Sequence, residues 1–498
     1  MINKLIFTIT IILLGLVQIQ AQDGSFDQTF NAGGTGLSNG VNAAGISKTI
    51  LQPDGKILVA GTFNAYNGTT TRALIRLHAD GSLDTAFNNN IMALPEIRQV
   101  VSMVLQPDGK IILGEYNQFN GTTFSIKNLL RLNANGTLDN SFNTNAVSNQ
   151  NIHDIKLQSN GKIVFIINSG ITGTNIKRIV RLHSNGLIDS TFNNNPLHDW
   201  INSPTRICVL PNDDLIFYGA LFAFKYGSSA ANYVYKSKLV KLTSNGNFDS
   251  TFNATNAFRN SVGQISTIAN TSNNKLIIGG TSNTKYENQS KQGFMRLNAD
   301  GSYDNTFNQD IGLNLGAIYA IEIQNDEKIL IAGSFDDYNN VVSKDMARVD
   351  SNGVLDNSFS SGTGVFYNNN GPERINQIHL TNDSKIIISG NFVNYDGNTA
   401  FEIARLANAE TVAVNNVEPL NYTITVFPNP VSNTLNISSE IAIEHIQIIS
   451  TSGQIICSNR YDKTFSCSIP TQKFNKGLYY VKIVLQNKKP ITTKIIKD

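Results

Sequence analysis

Residues 51–61 read LQPDGKILVAG, and the phrase returns six more times down the chain. It recurs as LQPDGKIILGE from Leu105, LQSNGKIVFII from Leu157 and LPNDDLIFYGA from Leu210, then as NTSNNKLIIGG from Asn270, IQNDEKILIAG from Ile323 and LTNDSKIIISG from Leu380. A second phrase follows it outward: RLHADGSLDTAFN from Arg76, RLNANGTLDNSFN from Arg131, RLHSNGLIDSTFN from Arg181, KLTSNGNFDSTFN from Lys241, RLNADGSYDNTFN from Arg296 and RVDSNGVLDNSFS from Arg348. The period of about 50–60 residues is near that of propeller blades. The fourth and fifth copies depart most, and Leu215 is aligned with the lysine of the other copies.

Each repeat reads as four strands. In the first copy these are expected at 46–52, 56–63, 72–78 and 82–88, called A to D. Pro53-Asp54-Gly55 is a tight-turn sequence, with Pro fixing φ and Gly accepting a positive one. Ile57-Leu58-Val59-Ala60 is apolar on both faces, as suits a strand pressed between neighbouring sheets. The last repeat stops after Arg405-Leu406, without strand D, and the missing phrase lies at the other end of the chain as DGSFDQTFN from Asp23. A linear stack has no use for that offset. A closed ring does, because the N-terminal strand completes the last blade and removes the open edges. The fold class expected is all-β: a seven-bladed β-propeller closed by the N-terminal strand, with a small C-terminal β-sandwich.

These phrases resemble the delta-60 repeat family, a β-propeller family of largely unassigned function, over residues 23–407. From 421 a different pattern begins, TITVFPNPVSNTLNIS, IEHIQIISTSGQII, KGLYYVKIVLQ and TTKIIKD, in short alternating strands between turn residues. It resembles the type A C-terminal sorting domain of type IX secretion cargo. The matching positions are Pro428, Asn429 and Pro430; Gly453; Gly477, Tyr479 and Lys482; and Lys494 and Lys497. The resemblance implies a Gram-negative member of the Bacteroidota, export by the Sec translocon, and passage through the type IX outer-membrane machinery. The product would be secreted or held at the cell surface. Residues 1–21 read as a signal peptide: Lys4 precedes an apolar stretch from Leu5 to Val17, and Ala21 offers a small residue for cleavage. The domains expected are therefore the signal peptide 1–21, the propeller 22–407, a linker 408–420 and the sorting domain 421–498.

Composition narrows the function. Lys plus Arg is 39 and Asp plus Glu is 37, so the net charge is +2. No basic excess is available to grip nucleic acid or an anionic membrane. Cys208, Cys457 and Cys467 form no Cys-x-x-Cys, so the usual zinc spacing is missing. Cys457 and Cys467 flank a hairpin and read equally as a disulfide or as two buried thiols. The aspartate repeated in each D phrase (Asp27, Asp84, Asp139, Asp189, Asp249, Asp304, Asp356) weighs more as an Asx-type turn before a buried Phe than as a calcium ligand. Asp84-Thr85-Ala86, Asp189-Ser190-Thr191 and Asp249-Ser250-Thr251 also resemble the O-glycosylation motif of Bacteroidota proteins. No nucleophile, dinucleotide or phosphate-loop motif occurs in a fitting context, so neither an enzyme nor a cofactor is expected.

The connections from strand D to the next strand A vary in length and share a face with the B-to-C loops. Loops on a rigid scaffold carry binding. Trp200, beside His198 and Asp199, falls in one of them, and the next B–C loop carries Tyr226 and Tyr233. Aromatics with polar handles suit a sugar or a peptide. The expected function is an exported, noncatalytic binding protein for a glycan or protein ligand, acting as a monomer. The alternative is a secreted polysaccharide hydrolase or lyase on the same scaffold, which two or more carboxylates converging in a charged channel would favour.

Overall fold

The computed structural model describes residues 22–498 apart from 40–44, 116–128, 143–150, 169–175, 193–199, 202–204, 227–232, 259, 288, 290, 291, 309, 311, 368–372, 409–423, 451–454 and 487–490. The signal peptide, most of the linker, His198, Asp199 and Gly453 lie outside the described residues. The chain divides into two compact units, Met1–Glu410 and Thr411–Asp498.

In the first unit, strands A, B and C of blade 1 are Gly45–Leu51, Ile57–Thr62 and Leu74–Leu77, an antiparallel meander. Six further copies follow, beginning at Val100–Leu105, Ile152–Leu157, Arg206–Val209, Ile265–Asn270, Ala317–Ile323 and Arg374–Leu380. Strand B is buried on both faces, as its unbroken apolar run predicts: Ile57, Leu58, Val59 and Ala60 are all buried. Strand D differs from expectation. It is one antiparallel bridge, Leu77↔Leu83 in blade 1 and Leu132↔Leu138 in blade 2. The aspartate one residue later ends it by turning the chain. Asp84 caps the helix Thr85–Met92 by accepting the Phe87 amide, while Asp139 and Asp189 accept the amide and hydroxyl two residues on.

The turn throws each D-phrase Phe onto the next blade. Phe87 lies against Gly136, and Phe192 against Gly246, where an added Cβ would come within about 3 Å of the ring. These C–D turn glycines hold φ of +91° and +86°, so both backbone and space require glycine. Seven apolar clusters result, one at each seam. The seventh joins Ile387 and Ile403 of blade 7 to Ile57, Val59 and Phe30, and the ring is closed.

Closure depends on the N-terminal segment. Gly24 and Asp27 donate their amides to Ala407 and Arg405, and the Ala407 amide returns to Ser25. Gly24 thus takes the place that Gly81 holds in blade 1. Tyr395 donates to its carbonyl at 2.7 Å, as Tyr66 does to Gly81 at 2.6 Å.

In blade 4 the register corrects the sequence alignment. Leu210 donates its amide to Asp214, as Gln52 does to Lys56. Leu215 therefore matches Ile57, and the residue in the lysine's place is Asp214. Pro211 misleads the reading by standing where the glutamine of the phrase was aligned.

The second unit is a five-stranded sheet, Ile424–Phe427, Thr434–Ser450, Ile455–Pro470, Gly477–Leu485 and Ile491–Lys497. The two long strands break register between Ser438 and Ile443, so each runs through both halves of a small sandwich. Leu435 and Ile437 from one half share a core with Ile446, Ile448, Val481 and Ile495 from the other. Cys457 and Cys467 are unbonded thiols packed against that core.

Arg348, only 2% exposed, holds the closure. It donates to Asp23 at 2.7 Å, to Asn408 at 2.8 Å and to its own Asp356 at 2.9 Å. Replacing it with alanine removes the one side chain that ties Asp23, Asn408 and Asp356 together and should cost about 3 kcal/mol, although Lys328 still pairs with Asp356. Denaturant unfolding of Arg348→Ala, and of a chain lacking 24–31, should both show large losses. Deletion of 24–31 with no loss of stability, in a chain that stays monomeric, would overturn closure by this strand.

Candidate functional site

The seven A strands line a central channel with a cavity of about 750 Å³. Their side chains enter it in register because the strands share one irregularity. In six blades a bulge interrupts A–B pairing, as between Ile46 and Lys48 or Ile152 and Asp154. The extra residue re-aims the strand. Just below it lies a ring of equivalent positions, one per blade: Lys48, Ser102, Asp154, Arg206, Thr267, Ala320 and Gln377. Two residues further on is a second ring: Ile50, Val104, Lys156, Cys208, Ala269, Glu322 and His379. Charge concentrates in Lys48, Asp154, Arg206, Lys156 and Glu322, with Arg374 also on the wall.

The two carboxylates differ. Asp154, 2% exposed, is a staple across three blades. It accepts the Ser102 hydroxyl of blade 2 at 3.1 Å and the Ile207 amide of blade 4 at 2.9 Å, and Lys156 lies 3.6 Å away. Burial opposes its ionisation, yet Lys156, Arg206, Lys48 and the amide hold its carboxyl below the usual range. Glu322 has no such donors, and burial pushes it up to about 7 against the pull of Lys48. Lys48 is brought down to about 7 by burial and by Lys156 and Arg206. His379 is hydrogen-bonded to the Thr49 hydroxyl at 2.8 Å, and burial lowers it to about 3, so it is neutral. Burial raises the Cys208 thiol to about 11.

The sequence-predicted aromatics stand elsewhere. Strand B of blade 4 runs on as Leu215–Tyr226 and pairs with Tyr233–Leu242. Trp200–Ile201 adds to it and also pairs with strand C of blade 3. The register sets Trp200 opposite Phe224 and Tyr226 opposite Tyr233, so the backbone does bring three of the five candidates to one hairpin. In blades 1 and 7 the B–C hairpin pairs with the D–A connection, as expected, but Tyr66 and Tyr395 there are buried scaffold. Sequence reasoning missed the channel residues because they lie outside the repeated phrases. The repeated aspartates are occupied: each is ion-paired to the Arg or Lys eight residues earlier in strand C, as Arg181–Asp189 at 2.9 Å, or Arg405–Asp27 at 2.8 Å in the closing blade. No group of three or more His, Cys, Asp or Glu that could hold a metal occurs among the described residues.

In the C-terminal unit, the sorting positions at opposite ends converge. Asn429 accepts the Ile496 amide at 2.8 Å, and Val431 bridges Lys497 in parallel. Tyr479 donates to the Asn475 carbonyl at 2.9 Å.

Against known families, the β-propeller domain of unknown function DUF5122 matches seven segments: 52–87, 106–142, 158–192, 226–252, 271–307, 324–359 and 381–408. The secretion system C-terminal sorting domain matches 425–498. The chain belongs to the DUF5122 β-propeller family and carries a type IX sorting domain. It is a secreted, cell-surface propeller. The short fourth match begins at Tyr226, the last residue of the strand Leu215–Tyr226, and so leaves out the turn at Asp214 where the phrase breaks. No protein of curated function matches the DUF5122 chain. Among solved structures it is similar to PorZ, a surface component of the type IX secretion system of Porphyromonas gingivalis, at 10% identity, covering 94% of this chain and 75% of that one, TM-score 0.26. It is also similar to the extracellular domain of a hybrid two-component system from B. thetaiotaomicron, at 12% identity, 91% and 67% coverage and TM-score 0.24. A third is regucalcin from Agrobacterium tumefaciens, at 12%, 59% and 85%, TM-score 0.34. No helix of the described residues is long and apolar enough to cross a membrane.

Two expectations follow. The ion-paired carboxylates Asp27, Asp189, Asp304 and Asp356 are held well below the usual range; burial opposes this, but lysine and hydroxyl donors outweigh it. Their stabilisation is present above about pH 4 and lost as pH falls. Burial raises Glu115 to about 8, Asp345 to about 7, Glu322 to about 7 and Glu402 to about 9. Their contribution is present below about pH 4 and lost as pH rises through those values. Thermal unfolding should therefore peak near pH 5 and decline on both sides, and Glu402→Gln should flatten the alkaline limb. Separately, a chain truncated at Glu418 should fold but stay inside the outer membrane. Its undiminished presence outside, in cell fractionation, would contradict the sorting role.

Proposed function

We propose that this DUF5122 propeller is a noncatalytic binding protein that takes a glycan or protein ligand at its loop face and channel. It would reach the periplasm through the Sec translocon and act as a monomer. One observation carries the reading: of the two channel carboxylates, Asp154 is consumed in holding blades 2, 3 and 4 together, so no free pair remains for acid–base work. The fourth-blade hairpin, with Trp200, Tyr226 and Tyr233 in one sheet, supports a second contact area for the same ligand.

The hydrolase or lyase reading has one observation in its favour. Glu322 and Lys48 both titrate near neutrality in one cavity, as an acid and a base must. Screening the purified chain by glycan array and pull-down separates the two. Binding without release of reducing ends, weakened about tenfold by Trp200→Ala or Tyr226→Ala, is the expected result. Turnover of a polysaccharide that disappears in Glu322→Gln would replace binding with catalysis.

A further inference from the structure

The channel wall is electrically lopsided. It carries four cationic side chains, Lys48, Lys156, Arg206 and Arg374, and two carboxylates. Asp154 pairs with Lys156, and no carboxylate of the described residues lies within ion-pair distance of Lys48 or Arg206. Both line the same cavity from blades 1 and 4, and each interacts electrostatically with Asp154 between them. Lys48 is desolvated while Arg206 is exposed to the channel, and together they present positive charge to an entering anion. The wall from blades 5 to 7 adds uncharged donors and acceptors, Ser266, Thr267 and Asn376, beside Glu322 and Arg374. The buried Ser266 hydroxyl and Arg374 Nε have no hydrogen-bond partner among the described residues, while the Arg374 guanidinium lies over the Tyr319 ring.

From this arrangement we propose that the channel binds an acidic saccharide, its carboxylate held between Lys48 and Arg206 and its hydroxyls facing Ser266, Thr267 and Asn376. The inference rests on the binding reading above and narrows it to a hexuronate class. An arginine's planar fork suits a carboxylate, and a lysine adds charge without demanding geometry. About 750 Å³ holds one or two sugar residues with water.

The charged groups around the site fix its pH dependence. Lys48 loses its proton as pH rises through about 7, and Glu322 gains its charge over the same interval. Both changes disfavour an anion. Asp154 stays ionised, His379 stays neutral, and Cys208 and Tyr218 are pushed up and stay protonated. Lys156, Arg206 and Arg374 supply constant charge, and His153 lies on the blade 3 wall.

Calorimetry on the purified full chain tests the proposal, with D-galacturonate and D-glucuronate against D-galactose and D-glucose. At pH 6 the uronates should bind at least about tenfold more tightly than their neutral parents. Lys48→Met and Arg206→Met should each weaken uronate binding about tenfold without lowering the melting temperature. Lys48→Arg should keep the affinity at pH 6 and reduce the loss between pH 6 and pH 8 to the part that follows Glu322. Equal affinity for acidic and neutral sugars, or unchanged uronate binding in both Met variants, would overturn the acidic specificity while leaving a binding protein. Absence of uronate binding would also overturn it. Absence of every ligand on the array, with turnover, would remove the binding reading itself.

Discussion

The propeller depends on one repeated interaction, the arginine at the end of strand C. Its guanidinium pairs with the D-phrase aspartate, stacks on the Phe three residues beyond that aspartate, and reaches a carbonyl of the next blade's C–D turn. In blade 1 Arg76 lies 2.9 Å from Asp84, 4.3 Å from the centre of Phe87, and donates to the Ala134 carbonyl at 2.6 Å. Only a planar cation with several donors can do all three. The Asx turn, the glycine beneath the Phe and the buried B strand follow from it, because a fixed Phe sets the spacing at which the next blade must stand. Where the chain ends meet, Arg348 does the same with Asp23 and Asn408 in place of a continuous turn.

This explains what the sequence made legible. Blade number, closing strand and the structural role of the aspartates could be read because each blade solves the same packing problem with the same residues. The shortening of strand D could not, since LDTAF alternates like a strand until Asp84 accepts the Phe87 amide and bends it. The blade 4 register was obscured by coincidence: Leu210 looks like Leu51, while the hydrogen bonds match it to Gln52. The channel was illegible for a deeper reason. Its charges are at most two per blade, spaced about 50 residues or more from blade to blade, and only sevenfold closure brings Lys48, Asp154, Arg206 and Glu322 together.

Ring positions are free to diverge because strand A pairs through its backbone. The main-chain ladder and the bulge do not depend on whether Lys48, Ala320 or Gln377 occupies the position. A repeat protein can thus keep its scaffold uniform and still make its axis asymmetric. Some ring residues nevertheless serve the seams. Asp154 ties three blades, and Gln377 accepts the Thr49 amide across the join between blades 7 and 1.

Blade 4 shows what happens when the shared solution is altered. Lys241 replaces the arginine and sits between Asp214 and Asp249, each at 3.1 Å, so its charge is satisfied within its own blade. A lysine has no fork with which to reach the neighbouring turn as well. The seam to blade 5 is held instead by Tyr218 and Phe258 in the shared core and by the Asn253 amide donating to Asp300. On the other side, Trp200–Ile201 stitches blade 4 to blade 3 through strand pairing that other blades lack among the described residues. The lost arginine and the extended outer hairpin therefore coincide in a single blade. That blade also lines the channel with Arg206, so the departures from the repeat reach from its outer hairpin to the axis that all seven blades share.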